Sequence, residues 1–167
     1  MSSRVPKPGT RTGVDVLIVD ADRARAEALA IQFEADGLST QVAQTVEDAS
    51  ARSGDARVLL VRRRVGASDG FAFVRALRKK TEVPSRVLIL GDGPNADDAL
   101  RAIDVSALGI VFEPYSSGNL IRRVRKGMET GANEFADGPD AQVYRIRRGG
   151  VVFKMKSRPE LLVDYLL

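Results

Sequence analysis

Three consecutive arginines, Arg62, Arg63 and Arg64, follow the apolar run Val58-Leu59-Leu60-Val61. Guanidinium groups stay charged at any ordinary pH and bind carboxylates or phosphates as a planar fork, so the chemistry on offer is anion pairing. The run before them reads as a strand buried on both faces. Comparable apolar runs end at Asp20 (with Ala21 next), at Gly91 and at Glu113. The chain has no histidine and no cysteine. That excludes imidazole general bases, Ser-His hydrolysis, disulfides, thiolate zinc sites and most transition-metal sites. No phosphate loop of the P-loop type and no dinucleotide fingerprint occurs. With no paired acids at a plausible site either, the chain reads as a non-enzyme that needs no cofactor and no metal.

The elements that must position these groups alternate. Strands are expected over 14–19, 38–43, 57–62, 86–90 and 108–112. Between them, Asp22 caps a helix to about Asp36, with Ala26, Leu29, Ala30 and Phe33 on one face and Gly37 as its stop. Thr45 opens a short polar helix to Ser53. Asp69 to Lys80 is a helix with Phe71, Val74 and Leu77 inward and Arg75 and Arg78 outward. Asn95 to Val105 is a helix with Leu100 and Ile103 inward. Ser116 or Ser117 caps a last helix through Leu120, Ile121, Val124 and Met128. Five strand–helix units predict an α/β fold, a doubly wound parallel sheet covered on both faces with right-handed crossovers. In such sheets function sits at the carboxyl ends of the strands, where Asp20, Arg62, Gly91 and Glu113 arrive.

The organisation at the ends differs. Residues 1–13 read as a disordered basic tail rather than a signal peptide. Residues 14–130 carry balanced charge and form the main domain, 131–140 read as a turn-rich acidic linker, and 141–167 as a basic β-hairpin and amphipathic helix. A turn at Gly149-Gly150 sets Ile146 opposite Phe153 and Tyr144 opposite Met155. Arg145, Arg147, Arg148, Lys154, Lys156 and Arg158 make this segment the place for polyanion contacts. No run of 18 apolar residues exists, so a membrane span is not expected and the cytoplasm is.

Residues 14–130 resemble the receiver domain of bacterial response regulators. VDVLIVDAD is similar to the receiver's first strand and acidic turn, RVLLVRRRVGASDG to its third strand and the loop ending in Asp-Gly, RVLILGDG to its fourth strand, and GIVFEPYSSGNL to its fifth strand and last helix. The resemblance implies a CheY-like, flavodoxin-like sheet with strand order 2-1-3-4-5, followed here by the hairpin and helix. Receivers accept a phosphoryl group on an aspartate ending the third strand, bind Mg²⁺ through it and an acidic pair after the first, and use a Ser/Thr on the fourth strand and a Lys on the fifth. By position these are Arg62, Asp20 with Ala21, Gly91 and Glu113; the aromatic switch position is Ile110. The charges of strands three and five are therefore exchanged. Either Arg62 pairs internally with Glu113, Asp20 or both, with Gly91 leaving room for the two side chains to meet, or it points to solvent with Arg63 and Arg64.

The resemblance implies a phosphorylation-independent signalling module, a pseudo-receiver in a two-component setting, acting through protein–protein contact in transcriptional regulation. Its usual interaction face would hold Asp97, Asp98, Arg101 and Asp104 on one helix and Arg122, Arg123, Arg125 and Lys126 on another. Complementary helices of this kind suit a homodimer or another signalling partner; an ordinary solvated surface is the other reading. The tail weakly resembles the start of the effector domain of OmpR/PhoB-type transcription factors. Two alternatives follow: a truncated DNA-binding factor, whose phosphate contacts would be salt-sensitive, and a receiver that binds a small anionic ligand or nucleotide at the altered site. A third reading has the apolar 161–167 segment docked on the domain or exchanged between protomers.

Overall fold

A computed structural model of the chain describes residues 13–80 and 86–130. Seven strands and five α-helices follow in order: β1 Val14–Val19, α1 Arg23–Ala35, β2 Thr40–Ala43, α2 Val46–Arg52, β3 Ala56–Arg62, β4 Arg64–Val65, β5 Ser68–Asp69, α3 Gly70–Lys80, β6 Arg86–Gly91, α4 Ala96–Asp104, β7 Gly109–Phe112 and α5 Ser117–Thr130. Five strands form one sheet in the order β2-β1-β3-β6-β7, and every pairing in it is parallel. This is the expected 2-1-3-4-5 order; the higher labels arise because residues 64–68, expected as loop, and Asp69, expected to open the helix, form the small antiparallel ribbon β4–β5. The proposed tail, linker, hairpin and final helix lie outside the described residues, except Gly13. So do Arg145, Arg147, Arg148, Lys154, Lys156 and Arg158.

Side-chain alternation divides the core into two layers. Leu17, Val19, Leu59, Val61 and Ile89 pack with Phe71, Val74 and Leu77 of α3 and Ala96, Ala99 and Ala102 of α4. Val16, Ile18, Leu60, Leu88 and Val111 pack with Leu29 and Phe33 of α1 and with Leu120, Val124 and Met128 of α5. The helix caps fall where polar side chains were expected. Asp22, Thr45 and Asn95 each accept an N–H from the third residue on, and Ser116 accepts from Asn119.

Two helix faces differ from expectation. On α4 the buried stripe is Ala96, Ala99 and Ala102, joined by Asp98, while Ile103 is only half-buried and Leu100 packs at the core margin. Small side chains let the helix approach the sheet closely, and the larger ones slide to the edge of the contact. Arg78 does not point outward: it is half-buried, and its guanidinium donates to the carbonyls of Val105 and Ser106. It thereby takes up the exposed carbonyls of the α4 C-terminus, where a cation is favoured.

The glycine at position 70 is dictated by space. A Cβ on Gly70 would lie 2.0 Å from the Arg62 carbonyl oxygen, and the Gly70 N–H donates to the Arg63 carbonyl at 2.8 Å. The chain therefore returns from the ribbon hard against the end of β3, while Asp69 accepts the Phe71 N–H and opens α3.

Candidate functional site

The three arginines at the end of β3 have three different surroundings. Arg62 has the parity of Leu60 and turns to the α1/α5 side, where its side chain is 2% exposed. Its Nε donates to Asp20 Oδ2 at 3.3 Å, and its Nη2 stands 2.5 Å from Glu113 Oε1. Arg63 turns to the α4 side. Its Nε lies 2.7 Å from Asp98 Oδ2, and its Nη2 donates to Asp98 Oδ1 at 2.9 Å. Arg64 is exposed.

Asp20 ends β1, is 3% exposed and is the centre of the α1/α5 cluster. Its oxygens accept Arg25 Nε at 2.7 Å, Arg25 Nη2 at 2.6 Å and the Asp22 N–H at 2.9 Å, in addition to Arg62. Burial alone would raise this carboxyl. The Arg25 fork, the Asp22 amide and the charges of Arg25 and Arg62 outweigh it and hold Asp20 below the usual carboxylate range. Tyr115 lies half-buried beside the cluster. Burial holds its phenol above the ordinary value, against the charge of Arg62 and with that of Glu113.

Arg25 is the residue that sequence reasoning missed. A signal for it exists. The first turn of α1 holds Arg23 and Arg25 and no acid, against the preference of a helix N-terminus for negative charge. Cations placed there call for an anion nearby, and Asp20 ends the preceding strand.

Gly91 plays a different part from the one expected. It has the parity of Ile89 and faces the other side of the sheet from Arg62 and Glu113. A Cβ there would meet the Phe112 ring at 2.7 and 3.0 Å. The missing side chain makes room for Phe112, not for the ion pair. Ala21 is exposed and brings no polar group.

The expected interaction face is largely engaged within the chain. Asp98 and Arg123 are buried, 3% and 6% exposed, and so are not surface groups. Asp98 holds Arg63, and Arg123 Nη2 donates to the Ile110 carbonyl at 3.0 Å. Arg101 reaches Asp69 and lies over the Phe71 ring, 4.4 Å from its centroid. Asp104 pairs with Arg75, and Arg125 with Asp36. Arg122 is exposed and donates to Asn119, Lys126 is half-buried, and Asp97 is exposed. The two helices thus spend much of their charge on their own neighbours.

Mg²⁺ does not fit this edge. Both Asp20 oxygens face guanidinium groups, a cation would have to displace two of them, and Arg62 is no acceptor for a phosphoryl group. Among the described residues no cluster of three or more acidic, histidine or cysteine side chains could hold a metal ion. Nor is any helix among them long and apolar enough to cross a membrane.

No family model matches the chain. It is 29% identical over 115 residues to the KDP operon transcriptional regulatory protein KdpE of Escherichia coli, covering 66% of this chain and 49% of that protein. It is 26% identical over 108 residues to the acid tolerance regulatory protein ActR of Sinorhizobium medicae, covering 64% of this chain and 55% of that one. The chain thus spans about half the length of the curated relatives it matches. Among solved structures, the Francisella response regulator 1452 receiver domain matches with a TM-score of 0.65 at 22% identity, covering 71% of this chain and 99% of that one. DrrB, an OmpR/PhoB homologue of Thermotoga maritima, matches with a TM-score of 0.67 at 17% identity, covering 86% of this chain and 64% of that one.

Proposed function

We propose that the chain carries a receiver (CheY-like) domain of the response-regulator type, and that it signals without phosphorylation, through protein–protein contact in transcriptional regulation. The observation that carries this reading is Arg62. A guanidinium 2% exposed, between Asp20 at 3.3 Å and Glu113 at 2.5 Å, stands where receivers of the type described above keep the acceptor carboxylate. The same cation takes the electrostatic place of a metal ion: it neutralises the edge carboxylates permanently. The domain is then held in one arrangement, and regulation passes to what binds it or to how much of it is made. Mg²⁺ and phosphoryl donors have no role in this reading.

The test is titration of the full chain with beryllofluoride and Mg²⁺, followed by backbone amide NMR. The expected result is an unchanged spectrum. Saturable shifts around Arg62 and Glu113 would overturn the reading. Size-exclusion chromatography with light scattering then decides between a homodimer and a module that needs a different partner.

A second reading draws on the relatives, which are named as transcriptional regulators, and on the larger share of the chain matched by DrrB than by an isolated receiver domain. In it the chain is part of an OmpR/PhoB-type DNA-binding regulator, with the basic residues between 145 and 158 touching phosphates. Binding to mixed-sequence duplex that weakens steeply with added salt supports it. The small-ligand reading is less well supported for an anion, because the open cleft at this edge is lined by Asp92, Glu113, Pro114 and Tyr115 and its charged groups are acidic.

A further inference from the structure

Among the described residues two buried donors at this edge lack a hydrogen bond, and one of them, Arg63 Nε, already lies 2.7 Å from Asp98 Oδ2. Arg62 Nη1 is shielded from solvent and has no hydrogen-bond partner, and a buried polar atom without a partner calls for an explanation. Asp92 Oδ1 stands 3.9 Å from it, too far for a hydrogen bond. The other oxygen of the same group, Oδ2, lies 3.8 Å from Arg63 Nη1. Two guanidinium ends from opposite faces of the sheet thus converge on the two oxygens of one carboxylate. Both distances are about 1 Å longer than a charge-assisted hydrogen bond.

Asp92 is well placed to close that gap. Its side chain is 66% exposed. It stands between Gly91 and Gly93 in the connection from β6 to α4, and open space surrounds the Cβ position of Gly93.

We propose that Arg62 and Arg63 form a shared carboxylate site whose built-in occupant is Asp92, a latch that closes onto both arginines. Closed, it gives Arg62 Nη1 its missing acceptor and pins the β6–α4 loop to the end of β3. It also joins the Asp20–Arg62–Glu113 cluster to the Arg63–Asp98 pair, and so ties the α1/α5 face of the sheet to the N-terminal turn of α4. Open, it frees that turn. The latch is a site for a carboxylate and for no metal. The idea rests on the reading of the arginine edge as a fixed charge arrangement, but its test uses neither Mg²⁺ nor a phosphoryl donor, so the two fail separately.

The experiment compares the full chain with Asp92→Ala, and with Glu47→Ala as an exposed control on α2. Arginine Nε–Hε NMR and thermal midpoints are read in sodium acetate and in sodium chloride at equal ionic strength. Asp92→Ala is expected to move the Arg62 and Arg63 Nε–Hε resonances and lower the midpoint by about 2–5 °C, with Glu47→Ala doing neither. Acetate, entering the vacated position, should return both signals toward the parent and raise the midpoint more than chloride does. If Asp92→Ala fails to fold, Asp92→Asn takes its place in the same comparison. Arginine resonances that stay in place, or acetate that acts no better than chloride, overturn the proposal.

Discussion

Arg62 and Arg63 are adjacent in the chain and opposite in circumstance. Arg62 is sealed on the α1/α5 side and held by carboxylates from two other strand ends, Asp20 of β1 and Glu113 after β7. Arg63 is 29% exposed and hydrogen-bonded to one carboxylate, Asp98 of α4, with Asp92 farther off at 3.8 Å. Water can solvate Arg63 when its partner is lost, whereas Arg62 has only the protein. The first arrangement fixes how three strand ends meet; the second fixes where one helix begins. A cation at a sheet edge thus acts at long or short range according to how many elements its anions come from.

The sharpest way to break this contrast is Asp20→Ala. It strips a partner from the buried Arg62 and from Arg25 together, and should cost about 3–5 kcal/mol in urea unfolding. Arg62→Ala should cost less, about 2 kcal/mol, because Asp20 keeps the Arg25 fork and Glu113 reaches solvent. Were Arg62→Ala to cost more than Asp20→Ala, the cation and not the carboxylate would be the centre of the cluster. Asp98→Ala should cost about 1 kcal/mol, since the half-open Arg63 recovers its hydration. A loss as large as that of Asp20→Ala would erase the distinction between the two sides. The smallest effect is the dependence on acid. The Asp20 carboxyl is held below its ordinary value of 3.8 in the folded chain, so the unfolded chain binds the proton first. Its contribution is full above that value and is lost as pH falls below it through the folded pKa. In Asp20→Asn this part of the acid-unfolding curve should be flatter.

Much of this architecture was legible in the residues. Apolar runs at four strands and an alternating pattern at 38–43, each followed by a helix-period pattern, placed all five main strands and the two-sided packing. The α1 face, Ala26, Leu29, Ala30 and Phe33, came directly from the period of 3.6. The positions Asp20, Arg62 and Glu113 followed from where those runs end. What periodicity could not supply was side-chain pairing across long separations. Arg63 with Asp98 spans 35 residues, and no local pattern distinguishes that carboxylate from Asp97 beside it. On α4 the size of a side chain does not reveal the buried face, because a close approach to the sheet selects alanine. A glycine such as Gly91 signals space, and the sequence does not show that the space lies on the Phe112 side.

The Arg25 fork bears on how such an edge could change by single substitutions. Placing an acidic side chain at position 62 alone would set three carboxylates around one guanidinium already committed to Asp20. Each would press the others toward protonation. Removing Arg25 first would strand Asp20 beside a cation it holds only through one oxygen at 3.3 Å. Neither order passes through a well-compensated intermediate. The second arginine therefore couples positions 25 and 62: a change at either one alone leaves the Asp20 carboxylate less well compensated.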